Sequence, residues 1–391
     1  MDSSRVLITN ADYKNALAVV RSLGKKGINI TAASHKPLPV SFYSKYCNKR
    51  RSYYPPTENH KKFVGSLLNI VKEDRIEVLF PIGVDTTLPV SYFKEKFLPY
   101  TKVPIADYNI LVKAHDKSLT LPIAKDIGIP IPETYYPESL EEVIEISEKI
   151  EYPTIIKRRK GSGVDDGVRL ARSKDDLVKK YKEIESIPSD SLINEQKHPL
   201  IQEYIPGEIR DVNVLFNKGK PRAALAQRRI WTLPPDGGPG ILNETINDPS
   251  LIDLSLKIMK EIKWHGLAQV EFKLDSNGKP RLMEINPKFW GTLELSIKAG
   301  IDFPRLLYEM TMYEDVEPVF TYEKLTFLWV FPSNVKYLLQ SSNKVRDFKF
   351  YIEKLLEKRS ATDISIRDLR PELVKPWNIL ILRARSQITS K

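Results

Sequence analysis

The chain of 391 residues is long enough for roughly two to three domains and a sizeable core, and its 41% hydrophobic and 28% charged residues are those of a soluble globular protein. A net charge of +11 admits nucleic acid, a membrane surface or a polyanionic small molecule as partner, but Lys and Arg are interleaved with Asp and Glu throughout, so most of that charge reads as solvated surface. The lone Cys47 excludes an intramolecular disulfide and a multi-cysteine metal cage, the five histidines show no HxxxH or HxH zinc spacing, and no apolar run approaches the roughly 18 residues needed to span a bilayer.

In chain order, VLITN from residue 6 predicts a short strand. DYKNALAVVRSLGKKG then predicts a helix with a glycine stop, and INITAAS a second strand, which together make a βαβ opening. A helix over 59–73 leads into VLFPIG, a buried strand signal, so residues 1–105 read as a small parallel α/β domain. Its first turn, TNADYKN, lacks GxGxxG, and no dinucleotide fingerprint is present. MDSSRVLITN has no signal-peptide pattern, which makes the cytoplasm the expected compartment.

From about residue 106 the pattern becomes α+β. Antiparallel strands with glycine-containing turns alternate with helices expected near 111–126, 140–150, 174–186 and 249–263. This region is taken in two parts, residues 106–195 and 196–315, a division that rests on the family resemblance given below. The remaining 316–391 open with the strand-like TFLWVF, continue through a helix over 347–358 and end in KPWNILILRARS.

The middle region carries the chemistry. PTIIKRRKGSGVDDGVRLA places Lys157 at the end of an apolar strand, then a basic turn with Gly161, Ser162, Gly163 and Gly167, then a return strand. Glycines admit close backbone approach and free amide donors, so the turn can fold over phosphates; a solvated hairpin would carry the same residues. In LIQEYIPGEIRDVNVLF, the extended Gln202, Glu203, Tyr204 and Ile205 can offer backbone groups to a purine edge, and Glu208, past a Pro-Gly bend, can accept from ribose hydroxyls. A two-stranded hairpin with exposed acids would explain that stretch equally well.

GLAQVEFKLDSNGKPRLMEINP predicts a hairpin turning at Ser276-Asn277-Gly278. Side chains two apart on a strand share a face, so Glu284 and Asn286 point one way and can meet Glu271 across the pair. Two converging carboxylates repel without a cation, and hard oxygen ligands suit Mg²⁺ held jointly with substrate phosphates. Earlier in the chain, AQRRIWTLPPDGGPG offers Arg228 and Arg229; adjacent residues face opposite ways, so at most one of them reaches the cleft, with Arg229 preferred.

These residues resemble the ATP-grasp superfamily, in its carbamoyl-phosphate-synthase-like and carboxylate–amine ligase branch. The resemblance rests on five motifs in order over residues 1–312: an α/β domain, DKSLTLPIAKDIGIPIPET, the lid PTIIKRRKGSGVDDGV, the hinge IQEYIPGE, and the pair VEF and MEINP. It implies a Rossmann-like pre-ATP-grasp domain followed by the ATP-grasp fold, with 316–391 an extension to which no motif carries over. It also implies that Lys117 and Lys157 contact ATP phosphates, that 161–167 close over them, that Glu203 and Ile205 face adenine and that Glu208 holds ribose. Glu271, Glu284 and Asn286 would bind Mg²⁺, or Mn²⁺ in its place. Lys288 stands where many relatives have the arginine of NPR, which keeps a cation and loses the bidentate grip.

The implied activity is an ADP-forming ligase that activates a small-molecule carboxylate as an acyl phosphate and joins it to an amine. No nucleic-acid or membrane partner is expected; family members are often homodimers. A noncatalytic ATP-binding regulator would not need all three metal ligands, and a carboxylase-type enzyme using bicarbonate remains open. A nucleic-acid binder would account for the charge but lacks any RNA-binding or helix-turn-helix signature.

Overall fold

A computed structural model describes residues 5–161, 167–188, 192, 198–234 and 237–377. The first region is a parallel sheet of β1 (Arg5–Ile8), β2 (Asn29–Ala33), β3 (Lys49–Arg51) and β4 (Val78–Phe80) in the order β3-β2-β1-β4, with helices α1 (Lys14–Gly24), α2 (His60–Glu73) and α3 (Val84–Tyr92). Val6, Leu7 and Ile8 are fully buried, as continuous apolar strands in a sheet covered on both faces must be. The strand ends of such a sheet open onto a crevice. Two elements had no sequence signal. Strand β3 is the basic edge KRR, held by the buried Asp74 through Arg51 at 2.6 Å and Lys49 at 2.9 Å, and α3 contains Pro89, which masks its helical pattern.

The helix expected over 111–126 is two helices, α4 (Tyr108–His115) and α5 (Lys117–Asp126). Between them Asp116 adopts extended backbone and its carboxylate accepts from Ser118 N at 2.9 Å, ending one helix and capping the next. A four-stranded antiparallel sheet follows: β5 (Thr134–Tyr135), β6 (Thr154–Lys157), β7 (Val168–Ala171) and β8 (Leu200–Glu203), ordered β5-β8-β6-β7. Helices α6 (Leu140–Ser147) and α7 (Lys174–Glu185), capped by Ser139 and Ser173, cover it around Ile156, Leu177, Tyr181 and Ile201.

The chain then passes to a second sheet through β9 (Ile209–Asn217), so β8 and β9 are not a hairpin but the link between two sheets. Gly207 makes this crossing possible, because a Cβ there would stand 2.0 Å from the Leu274 carbonyl oxygen. Strands β10 (Lys220–Thr232), β11 (Gly240–Thr245), β12 (Gly266–Leu274) and β13 (Pro280–Asn286) complete the central sheet with helices α8 (Pro249–Glu261), α9 (Leu293–Lys298) and α10 (Phe303–Tyr313). The β12–β13 turn includes Gly278 at φ +74°, a conformation that favours glycine.

Residues beyond 315 join this sheet. β14 (Thr326–Leu328) pairs with β11 and β15 (Ser360–Thr362) with β14, giving the order β13-β12-β9-β10-β11-β14-β15. Helices α11 (Val335–Gln340) and α12 (Lys344–Leu356) lie between those two strands in sequence. The strand expected over 326–331 stops at Leu328, just before the turn at Phe331 and Pro332. The region is anchored back on α1 by the buried Arg21, 3.0 Å from Asp368 and 2.8 Å from Glu372. The stretch KPWNILILRARS lies outside the described residues from 378 onward. Among the described residues no helix is long and apolar enough to cross a membrane.

One face of the central sheet is apolar, with Val212, Val214, Ala224, Ala226 and Val270 packed in one core with Leu251 and Ile258 of α8 and Leu111 and Leu121 of α4 and α5. The opposite face is divided. Leu215, Leu225 and Leu267 share a core with Val6, Ile8 and the apolar side of α1, whereas further along the same strands that face is polar.

Candidate active site

That polar patch follows from register. Glu271 sits directly opposite both Glu284 on β13 and Asp211 on β9, Gln269 opposite Asn286 and Asn213, and Gln227 on β10 opposite Asp211. Acidic and amide side chains from four adjacent strands therefore share one face. They hydrogen-bond among themselves: Gln227 donates to Asp211 at 3.0 Å and to Thr292 at 2.7 Å, Gln269 to Asn213 at 3.1 Å, and Asn286 to Glu284 at 3.1 Å.

Each carboxylate of the expected metal pair is matched by a cation. Lys117 Nζ lies 2.9 Å from Glu284; its place at the start of α5 is set by the Asp116 cap and by its own N–H, which donates to Arg159 O at 2.9 Å. Lys117 Nζ also donates to Gly161 O at 3.3 Å, tying the start of the glycine turn to the site. Arg229 bonds Asp211 through two nitrogens at 2.6 and 3.1 Å, donates to Gly238 O at 2.9 Å, and pairs with Glu271. Lys157, buried at the end of β6, faces the same charges from the smaller sheet.

The titration behaviour reflects this balance. Burial works to raise the Glu284 carboxyl, but Lys117 and Lys157 outweigh it and hold it down. Burial raises Glu271; Arg229 opposes this, Glu284 and Asp211 reinforce it, and the net direction is up. Burial, aided by Lys117, lowers the Lys157 ammonium to about 7 against the pull of Glu284 and Glu271. A lysine neutral above pH 7 regains its proton when an anion arrives. Binding of a magnesium–nucleotide triphosphate analogue at pH 8 is therefore expected to take up roughly one proton, with affinity falling as pH rises above 7. Calorimetry in buffers of different ionisation enthalpy measures the uptake, and Lys157→Gln should abolish it; heats independent of buffer would show that Lys157 does not meet the phosphates.

The other sequence candidates are placed as follows. Arg228 is corrected: the alternation that turns Arg229 inward sends Arg228 to the reverse face. There it pairs with Glu244 at 2.5 Å and lines a cavity of about 680 Å³ with Arg210, Asp248, Tyr322 and Lys324. Glu208 is engaged by Arg210 at 2.6 Å and Arg228 at 3.4 Å rather than standing free for a ribose. Gln202 is a buried structural residue whose amide donates to Thr134 at 2.8 Å. The Glu203 N–H donates to Glu133 O at 2.9 Å, and Ile205 O accepts from Lys273 at 3.0 Å. Lys273, whose ammonium also lies 5.4 Å from the Tyr204 ring centroid, was not picked out from the sequence. Lys288 is half-buried, and burial lowers its pKa against the opposing charges of Glu284 and Asp85. Ser162 and Gly163 lie outside the described residues.

Asp211, the anchor of Arg229, was also missed. A signal existed: in RDVNVLF, Asp211 and Asn213 alternate with Val212 and Val214, the pattern of a strand with one polar face.

Among the described residues no group of three or more His, Cys, Asp or Glu side chains forms a metal cage. The donor set is two facing carboxylates and one amide, which fits a hard cation completed by phosphate oxygens rather than an all-protein site.

Comparison with known proteins defines the class. Residues 116–213 match the family model described as the carbamoyl-phosphate synthase L chain, ATP binding domain, and 195–330 the one described as ATP-grasp in the biosynthetic pathway with Ter operon. The fold is similar to biotin carboxylase from Campylobacter jejuni (TM-score 0.67, 17% identity, covering 81% of this chain and 72% of that one). It is also similar to N5-carboxyaminoimidazole synthetase from Staphylococcus aureus complexed with ADP (0.64, 16%, 81% and 79%) and to L-amino acid ligase from Bacillus licheniformis (0.60, 13%, 81% and 75%). Curated relatives include the carbamoyl phosphate synthase large chain of Pyrococcus furiosus, 25% identical over 50% of this chain and 18% of its own length. D-alanine–D-alanine ligase of Aquifex aeolicus is 26% identical over 49% of this chain and 66% of its own length. The chain thus spans less than two thirds of the length of these relatives. It has the ATP-grasp fold, and residues 116–330 are similar in sequence to ATP-grasp domains, including the ATP-binding domain of carbamoyl-phosphate synthase.

Proposed function

We propose that this protein uses Mg-ATP to activate a carboxylate as an acyl phosphate and joins it to an amine, releasing ADP and phosphate. The observation that carries this reading is the convergence of Lys117, Lys157, Glu271, Glu284 and Arg229 in one crevice, with Glu284 matched to Lys117, which an incoming phosphate would draw away, and Glu271 to Arg229. Glu271, Glu284 and Asn286 would hold Mg²⁺, which when bound supplies charge for the phosphoryl oxygens and a bridge to the nucleotide.

Lys117 and Lys157 exchange Glu284 for the phosphates and neutralise the charge that moves to the β–γ bridging oxygen. Arg229, fixed by Asp211, holds Glu271 in place. A substrate carboxylate oxygen attacks the γ-phosphorus and the bond to the bridging oxygen breaks, leaving ADP and an acyl phosphate. The amine lone pair then attacks the acyl carbon, phosphate departs with its bonding electrons, and the nitrogen loses a proton. No step needs a protein nucleophile. The substrates are small molecules and the expected setting is the cytoplasm, in keeping with a single cysteine.

Hydroxylamine tests the reading, because it intercepts an acyl phosphate as a hydroxamate once the correct carboxylate is present. ADP should form in step with hydroxamate, and both should vanish in Lys157→Ala. AMP and pyrophosphate as products, or ADP with a stable phosphoester and no trapping, would replace this reading with an adenylating enzyme or a kinase.

A further inference from the structure

The cavity of about 680 Å³ on the reverse face of the central sheet has no part in the mechanism above, and its size is that of a small-molecule site. Register builds its floor. Arg210 on β9, Arg228 on β10, Glu244 on β11 and Thr326 on β14 are direct cross-strand partners in succession, so their side chains form one row, on the face opposite Asp211 and Arg229. Asp248, the N-cap of α8, closes one side, and Phe320, Tyr322 and Lys324 line the cavity from the segment before β14. Tyr322 is fixed there, its hydroxyl accepting from Ala226 N at 3.1 Å and donating to Ile246 O at 2.7 Å. At Glu244 and Lys324, which line both, the cavity adjoins a second of about 190 Å³ walled by Lys354, Glu357 and Arg359. The two form one groove.

Every acid of the groove already has a cation. Glu244 is 2.5 Å from Arg228, Asp248 2.8 Å from Arg210 and Glu357 2.6 Å from Lys354. Two cations have no acid: Lys324 and Arg359 are exposed, and among the described residues no carboxylate lies within ion-pairing distance of either. The partner that the groove lacks is therefore an anion. The arginines are placed to take part, because each is shared. Besides its partner in the groove wall, Arg210 lies 2.6 Å from Glu208 at the hinge, and Arg228 makes a looser contact of 3.4 Å with the same carboxylate. An anion in the groove can replace Glu208 on both guanidiniums without leaving either unpaired, and their planar forks suit phosphate and carboxylate alike. Glu208, once released, stands free just past the extended run 202–205, where a ribose hydroxyl would meet it.

We propose that this groove is a second binding site, for a small molecule bearing a phosphate or carboxylate group, and that its occupation frees Glu208 for the nucleotide and so strengthens ATP binding on the other face of the sheet. This rests on the nucleotide part of the reading above and not on the ligase chemistry, and it gives the region after residue 315 a regulatory role.

The test is calorimetric binding of a magnesium complex of a nonhydrolysable ATP analogue to the intact chain at constant ionic strength, with inorganic phosphate and succinate as the two probes. At least one of them should tighten analogue binding about 5–10-fold, within the usual range of coupling between sites, and the analogue should tighten binding of that anion by the same factor. A gain with phosphate alone supports a site for phosphoryl groups, and a gain with succinate alone supports one for carboxylates. An anion that only competes for the lysines of the crevice has the opposite sign. Lys324→Ala combined with Arg359→Ala, both exposed and outside the crevice, should leave analogue binding without anion unchanged and abolish the gain. Glu208→Gln should weaken analogue binding and make it indifferent to either anion. A gain that survives in the double variant overturns the groove, and one that survives in Glu208→Gln overturns the route through the hinge. Analogue binding that neither anion tightens overturns the proposal and leaves the ligase reading standing, whereas no analogue binding at all overturns the ATP site and the proposal with it.

Discussion

Glu284→Gln is expected to keep the fold and to remove Mg-dependent ATP turnover, by about 10²–10³-fold or more, the scale on which losing one preorganised charge contact acts. The substitution is nearly isosteric, and the amide oxygen still accepts from Lys117, now at 2.9 Å from the carboxylate. What it removes is the negative charge that balances two buried lysines and would hold a divalent cation. Without that charge Lys117 repels Lys157 unopposed except by Glu271, so the Lys157 ammonium, already lowered by burial, should fall further. The measurement is ADP release against Mg²⁺ concentration, with thermal unfolding followed in parallel. Full turnover in a folded Glu284→Gln protein would show that the carboxylate facing Glu271 is not a metal ligand, whatever else the crevice binds.

Much of this site was legible because the chemistry is written in alternation. Glu284 and Asn286 stand two apart on a strand, and Glu271 faces Glu284 once the hairpin turns at Gly278, so the register that joins them is local. Lys157 and the glycine turn were legible for the same reason, lying on one strand pair with Lys157 opposite Val168. Asp211 was missed although its contact with Arg229 is nearly as local, since β9 and β10 form a hairpin with Asp211 opposite Gln227. What the sequence does not show is the pairing of β9 with β12, which sets Asp211 beside Glu271 under one guanidinium. Glu208 is instructive in the opposite sense. Its spacing from the hinge suits a ribose contact, yet its partners are two arginines on the reverse face, Arg210 and Arg228. Helix ends were read within a few residues except at Asp116, where a single cap residue in extended backbone splits what hydrophobic periodicity joins.

Arg229→Met is expected to destabilise the protein by about 3–5 kcal/mol, the cost of leaving a buried charge without its partner. Arg229 is the shared counter-charge of two carboxylates. Asp211 is fully buried and Glu271 half-buried, and the guanidinium makes two hydrogen bonds to the first and an ion pair to the second. Methionine fills a similar volume but leaves Asp211 with the Gln227 amide at 3.0 Å as its remaining donor of known geometry. The pH dependence identifies the cause. Burial already raises the Glu271 carboxyl against the opposition of Arg229, so removing the cation raises it further. A carboxyl whose folded pKa lies above its unfolded value favours the folded state while protonated and disfavours it once ionised. The deficit of Arg229→Met should therefore be small near pH 5 and grow as pH rises toward 8. Adding Asp211→Leu to Arg229→Met should recover part of the loss, because the pair is removed together and no buried charge is left alone. Denaturant unfolding at pH 5 and pH 8 measures both effects; a deficit independent of pH, or no recovery in the double variant, would mean that Arg229 acts through packing and not as the counter-charge shared by Glu271 and Asp211 on one face of the sheet.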